Sequence, residues 1–212
     1  MEAFRPTDGG GARASFAPPE AALLRNLIEQ VVTLLGDAEQ ARPSGFEPGD
    51  EPGARPGFGP DDAPGEGSRD PGIPGPAELA AMLGMDEAPA RAPEDPALAR
   101  LLPDAYRDDP DAAGEFRRYT EQSLRLAKQE TARTVLDTLP ADGGPVRLSG
   151  DEAQAWLRTL NDVRLALGVR LEVTEEFEDQ WQELDAADPR SAAFEVYAWL
   201  GGVQDSLVQA LT

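Results

Sequence analysis

The chain has neither cysteine nor histidine among its 212 residues. The first absence removes disulfides, thiol redox switching and cysteine nucleophiles. The second removes imidazole acid–base catalysis, and the two together remove the usual zinc sites. Lysine is nearly missing as well, with Lys128 the single example. No run of about 18 apolar residues occurs, so nothing reads as a membrane-spanning helix. The opening "MEAFRPTDGGG" lacks an apolar signal core, and the expected compartment is the cytoplasm. The sequence also lacks a G-x-S-x-G elbow, a Walker-type loop and a D-x-D-x-D-G calcium loop. We therefore expect no catalytic residues, no metal ligands, no cofactor and no enzyme activity.

What the chain has in excess is negative charge. Asp and Glu number 40 against 19 Lys and Arg, a formal net charge of -21. Such a surface repels duplex DNA and anionic membrane, because phosphate binding needs clustered cations. Strong direct DNA binding and membrane association are both disfavoured. The abundance of arginine, alanine, glycine and proline matches the bias of a GC-rich genome.

Proline, glycine and acid concentrate in one stretch. Gly36 to Ala97 holds 12 of the 20 prolines and 11 of the 21 glycines, with 14 acidic and 4 basic residues. That net of −10 comes with little apolar surface to offset ordering entropy, so a long disordered insertion is expected. We divide the chain into residues 1–36, an N-terminal strand and helix; 37–94, the acidic linker; and 95–212, the main helical part, packing with 1–36 as one domain. One island interrupts the linker. In "GPAELAAMLGM", Leu79, Met82 and Leu83 recur at helical spacing within residues 76–85. They suit either a docking motif for a partner groove or, preferably, a helix packing on its own domain.

The flanks read mostly as helix. "APPEAALLRNLIEQVVTLLGD" sets Leu24, Leu27, Ile28, Val31, Leu34 and Leu35 along one stripe that Gly36 ends. "EDPALARLLPDAY" starts at an Asp95 cap with Pro96 at the first helical position. A long helix runs from about Ala113 to Leu139. "PVRL" is a short strand, and Ser149 with Glu152 forms a capping box for a helix through Leu167. Phe177, Trp181 and Leu184 recur at helical spacing, and a last helix begins at Asp188-Pro189. "ARASF" and "PVRL" each precede a turn and a helix, and the two strands could pair as a ribbon. The fold class is mainly α: a single helical bundle of about five or six helices with at most a two-stranded β ribbon.

Three constellations could carry function. On the long helix, Arg118, Gln122, Arg125, Gln129 and Arg133 form a row flanked by Arg117 and Lys128. It is the candidate partner-binding face; its alternative is a solvated face of i, i+4 ion pairs with the neighbouring acids. In "LNDVRLALGVRLEV", Asn161, Arg164 and Gly168 share a face beside the apolar stripe. With Gly201 and Gly202 of "YAWLGGVQDSLVQAL", they form a candidate structural polar cluster, the alternative being a partner-binding notch. The glycines would let the last helix approach, so that Asn161 and Arg164 could bond its backbone. From Leu171 to Pro189 all eight charged residues are acidic. With no ligand-loop spacing, they suit a solvated face better than a cation site.

Five segments together resemble a known family. They are "FRP" near the start, "DPALARLLPDAY", "EFRRYTEQSLRLAK", "LSGDEAQAWLRTLNDVRLALGVRLEV" and "DPRSAAFEVYAWLGGVQDSLVQAL". The chain resembles an actinobacterial family of domains of unknown function, whose named branch is the AosR-type oxidative-stress transcription regulators. The resemblance skips the Pro/Gly-rich middle. It implies a non-enzymatic regulator working by protein–protein interaction, through a sigma factor or RNA polymerase. Family genes lie near that of the Clp protease adaptor ClpS, which implies the alternative of an accessory role in Clp-dependent proteolysis. The family's cysteine-pair oxidant sensor has no counterpart here, since this chain has no cysteine.

Overall fold

A computed structural model describes residues 2–36, 90–177, 181, 188 and 190–212. The segments on either side of the insertion belong to one compact unit. The island at Leu79, Met82 and Leu83, most of the acidic linker and Leu184 lie outside the described residues. Where the chain re-enters, the Ala90 N–H donates to the Gly114 carbonyl at 3.2 Å.

Strands β1 (Glu2–Thr7) and β2 (Gly11–Phe16) form a hairpin. Gly9 and Gly10 turn it with φ of +103° and +79°, values that L side chains rarely adopt. Strand β3 (Gly144–Leu148) pairs antiparallel with β2, giving a sheet of order β1-β2-β3. The expected ribbon of "ARASF" with "PVRL" is therefore present, and β1 extends it. Pro6 hides that strand from a propensity reading, yet it is tolerated because β1 lies at the sheet's edge.

Five helices are described: α1 (Pro18–Gly36), α2 (Pro96–Leu101), α3 (Pro110–Thr138), α4 (Gly150–Arg170) and α5 (Ser191–Leu211). Three of their starts are marked by side-chain caps. Asp95 accepts the N–H groups of Ala97 and Leu98 at 2.8 and 3.1 Å, with Pro96 opening α2. Asp109 caps α3 with Pro110 behind it, a turn earlier than the apolar pattern suggests. Ser149 and Glu152 close their capping box on α4. The α4 helix runs three residues past Leu167, and α5 starts at Ser191 rather than Asp188. Single-residue ends are the least decipherable part of any helix, since capping chemistry competes with fraying there.

The sheet turns Phe4, Ala12, Ala14, Phe16, Val146 and Leu148 inward. Phe4 and Phe16 meet Trp156 of α4 at centroid distances of 5.6 and 5.7 Å. Trp156 is fully buried and satisfies its indole N–H on the Thr138 hydroxyl at 2.8 Å. Leu24, Ile28, Leu160, Leu200 and Leu207 continue this core through α1, α4 and α5.

Candidate interaction site

The longest helix carries most of the candidate partner-binding residues, and the structure sorts them by depth. Arg117 and Arg125 are only 6% and 8% exposed. Arg117 donates to the Leu102 carbonyl just past α2 and pairs with Asp104 and Glu121. Arg125 donates to the Leu35 carbonyl near the end of α1 at 2.8 Å and holds Glu121 at 2.6 Å. Helix ends leave carbonyls without intrahelical partners, so these two side chains act as C-terminal caps supplied by a neighbouring helix. Arg25 returns the favour, donating to the Leu136 and Leu139 carbonyls at the end of α3.

Lys128 likewise turns inward, to Asp162 of α4 at 2.7 Å. Burial pushes the Asp162 carboxyl above its ordinary range, an effect that the Lys128 hydrogen bond and charge offset only in part. Arg118 is half-buried and lies over the Tyr119 ring at 4.7 Å, Gln122 is exposed, and Arg133 is exposed beside Glu130. The row therefore does not form one docking face. Arg117, Arg125 and Lys128 brace the fold, and the exposed members are Gln122 and Arg133, with Arg118 partly so.

The polar cluster is likewise redistributed. Arg164 lies between α4 and α5, bonded to the Gln204 side chain at 2.8 Å and over the Tyr197 ring at 5.2 Å. A Cβ added at Gly201 would meet its guanidinium at 3.8 Å, and one at Gly168 would meet Tyr197 at 3.3 Å. Gly168 and Gly201 thus permit the approach, but Arg164 bonds a side chain rather than the glycine backbone. Asn161 points to solvent, and Gly202 is exposed with nothing within 4 Å of an added Cβ. The buried polar residue in that segment is its neighbour Asp162.

What α3 does present is apolar. Phe116, Tyr119, Leu124 and Leu126 of α3 are exposed, Tyr119 by 72% and Leu126 by 55%, and so is Tyr106 in the segment before it. Tyr106 packs edge-on against Phe116 at 6.0 Å. Beside them a groove of about 550 Å³ is lined by Leu102, Pro103, Phe116, Leu124 and Ala127, with Arg117 and Glu121 among its polar groups. Large exposed apolar patches on soluble proteins mark contact surfaces. Phe116, Tyr119 and Leu126 fall at i, i+3 and i+10, a second apolar stripe legible in "EFRRYTEQSLRL" but overshadowed by its charges. Among the described residues no acidic group has the geometry of a metal site, and no helix is long and apolar enough to cross a membrane. Of the acidic run, Glu172, Glu175 and Glu176 are exposed; Glu178, Asp179, Glu183 and Asp185 lie outside the described residues.

The fold and this surface define a small, mainly helical protein whose longest helix braces its neighbours on one side and shows aromatic residues on another. The chain belongs to the family described as Domain of unknown function (DUF2017), whose model matches residues 1–211. Relatives from Mycobacterium tuberculosis (strain ATCC 25618 / H37Rv) and Mycobacterium bovis (strain ATCC BAA-935 / AF2122/97) are named "Oxidative stress regulator AosR". Each is 34% identical over 217 residues, covering 96% of this chain and 84% of the relative. A relative from Mycobacterium leprae (strain TN) with a corresponding name is 32% identical over the same length. No solved structure matches.

Proposed function

We propose that this protein is a cytoplasmic regulator that works without catalysis, by binding a protein partner through the exposed face of α3. The observation that carries the reading is the exposed stripe of Phe116, Tyr119 and Leu126 along one side of α3, with Tyr106 packed against Phe116. The regulatory names of the relatives support it. The partner class is a sigma factor or RNA polymerase, engaged by the Phe116–Leu126 stripe with Arg118 and Gln122 at its rim. A central aromatic anchor with a polar rim is how protein interfaces concentrate affinity. Because the chain has no cysteine, any response to oxidants has to reach it through a partner or a group other than a thiol.

Affinity purification from the native host with mass spectrometry tests this, comparing wild type with Phe116→Ser/Leu126→Ser. Arg118→Glu serves as a rim variant, whereas Arg125 is avoided because it braces the fold. Polymerase or sigma subunits recovered with wild type and lost from the double variant support both the function and the surface. Recovery of Clp subunits instead would transfer the protein to regulated proteolysis. Equal recovery of polymerase by both proteins would move the contact away from α3.

A further inference from the structure

The outward face of the sheet carries an arrangement that the sequence does not reveal until the strands are in register. Arg5 of β1 is the direct neighbour of Arg13 in β2, and Arg13 is the direct neighbour of Arg147 in β3. All three are exposed. Adjacent strands lie about 4.8 Å apart, so the three backbone positions form a rank spanning about 10 Å. Like charges placed directly opposite across strands are destabilising. Among the described residues none of the three side chains has a carboxylate or a hydrogen-bond partner. This occurs in a chain whose acids outnumber its bases by 40 to 19. Elsewhere Arg117, Arg125, Arg133, Arg170 and Arg190 all meet carboxylates.

We propose that this rank is a docking site for an acidic segment of a partner protein, one presenting several Asp or Glu side chains within about 10 Å. The surface is a cleft of about 420 Å³ lined by Arg5, Arg13 and Arg147, with Ser15 beside them. Guanidinium groups offer planar forks that take carboxylates in pairs of hydrogen bonds, so three of them fix an extended acidic stretch at several points. Glu2 lines the same cleft and is the register neighbour of Ser15, so it repels acid at that end and limits how far the segment runs. Charge complementarity selects the occupant. Duplex DNA brings one negative charge per about 1.7 Å of axis and would face the remaining acidic surface of this chain. A short peptide brings only the few charges that the rank can neutralise. This site lies on β1–β3, is independent of the α3 surface, and stands or falls separately from it.

The test uses the full chain and a fluorescein-labelled, C-terminally amidated triglutamate peptide, with binding followed by anisotropy across a salt series. Saturable binding that weakens steadily with salt is expected. Arg13→Glu, which has a like-charged neighbour on both sides, should weaken it at least tenfold, and Arg5→Lys/Arg147→Lys should weaken it less. Arg13→Glu should also leave the thermal midpoint unchanged or raise it, because it replaces two repulsions by attractions. Phe116→Ser/Leu126→Ser should bind the peptide as wild type does. Absent binding, binding indifferent to Arg13→Glu, or tighter binding of a 20-base-pair DNA duplex through the same arginines would overturn the proposal. So would a clear drop in the midpoint of Arg13→Glu, which would make the rank a structural device.

Discussion

Replacing Arg125 by methionine keeps much of the buried stem and removes the guanidinium, which isolates what that group does. Three hydrogen bonds vanish: one to the Leu35 carbonyl at 2.8 Å and two to Glu121 at 2.9 and 2.6 Å. The Leu35 carbonyl is left at the end of α1 without its capping donor, which costs about 1–3 kcal/mol when the group stays desolvated. Glu121, 22% exposed by side chain, keeps Arg117 and loses half its neutralising charge. Breaking a fully buried ion pair costs about 3–5 kcal/mol, and partial exposure of Glu121 reduces that share. A total near 3 kcal/mol follows. For a folded unit of this size each kcal/mol moves the thermal midpoint by about 2–4 °C, so a drop of roughly 6–12 °C is expected. Circular dichroism melts of Arg125→Met beside Arg133→Met provide the comparison. Arg133 is 63% exposed with one ion pair at 3.6 Å, and its loss should stay within about 0.5 kcal/mol. Equal melts for the two variants would refute the capping account and restore the row to the surface.

Asp162→Asn should flatten part of the acid side of the stability profile. The folded carboxyl holds its proton more tightly than the unfolded one. Wild-type stability contributed by this group therefore falls as pH rises from about 3.8 through the folded value, above which its cost is present in full. Urea midpoints of the two proteins should change relative to each other in that window; a constant difference from pH 3.5 to 7 would contradict the shift. Asp95 behaves oppositely. Burial opposes ionisation there, but hydrogen bonds from Leu98, Arg170 and Ala97 outweigh it, so its contribution is present above about 3.8 and lost below. Asp95→Ala should cost about 1 kcal/mol at pH 7 by denaturant titration, shrinking towards acid. Gly11→Ala should disrupt β2–β3 pairing severely, because its Cβ would sit 2.1 Å from the Leu148 carbonyl oxygen. A well-dispersed, wild-type-like amide spectrum for that variant would show the sheet closing differently.

The helices were legible because each carries an apolar stripe, and α2 and α4 a chemical start signal as well, whereas α5 has no side-chain cap and its start was read three residues early. Asp95-Pro96 and Ser149 with Glu152 place two of them to the residue. The β2–β3 pairing was readable from two short strand patterns, each followed by a turn and a helix. β1 was not, since Pro6 argues against a strand until its place at an edge is known. The fate of the arginines was hidden for another reason. Sequence spacing places Arg117 and Arg125 on a helix surface, but it does not show that the ends of α2 and α1 arrive there with unpaired carbonyls. Asn161 and Asp162 differ by one position, a rotation of 100° around a helix, and the apolar pattern alone did not decide which of the two faced α3. Phe116 and Tyr119 were in plain sight at helical spacing; what the sequence could not supply was that both stay exposed on the folded surface.

The Phe4 N–H donates to the Ser206 hydroxyl at 3.3 Å, joining positions 202 residues apart. A ribosome adding about 5–20 residues per second needs roughly 10–40 s to traverse that interval. During this time the hairpin has emerged, but β3, α4 and α5 have not all followed. The inward side of the sheet, with Phe4 and Phe16, remains wet until Trp156 and the last turns of α5 arrive. Pairings of such long sequence separation are slow to form, so maturation is tied to completion of synthesis rather than to its progress. Chains stopped short within α5 would carry an aromatic sheet covered by α4 alone, and the cell's quality control would meet them as sticky intermediates.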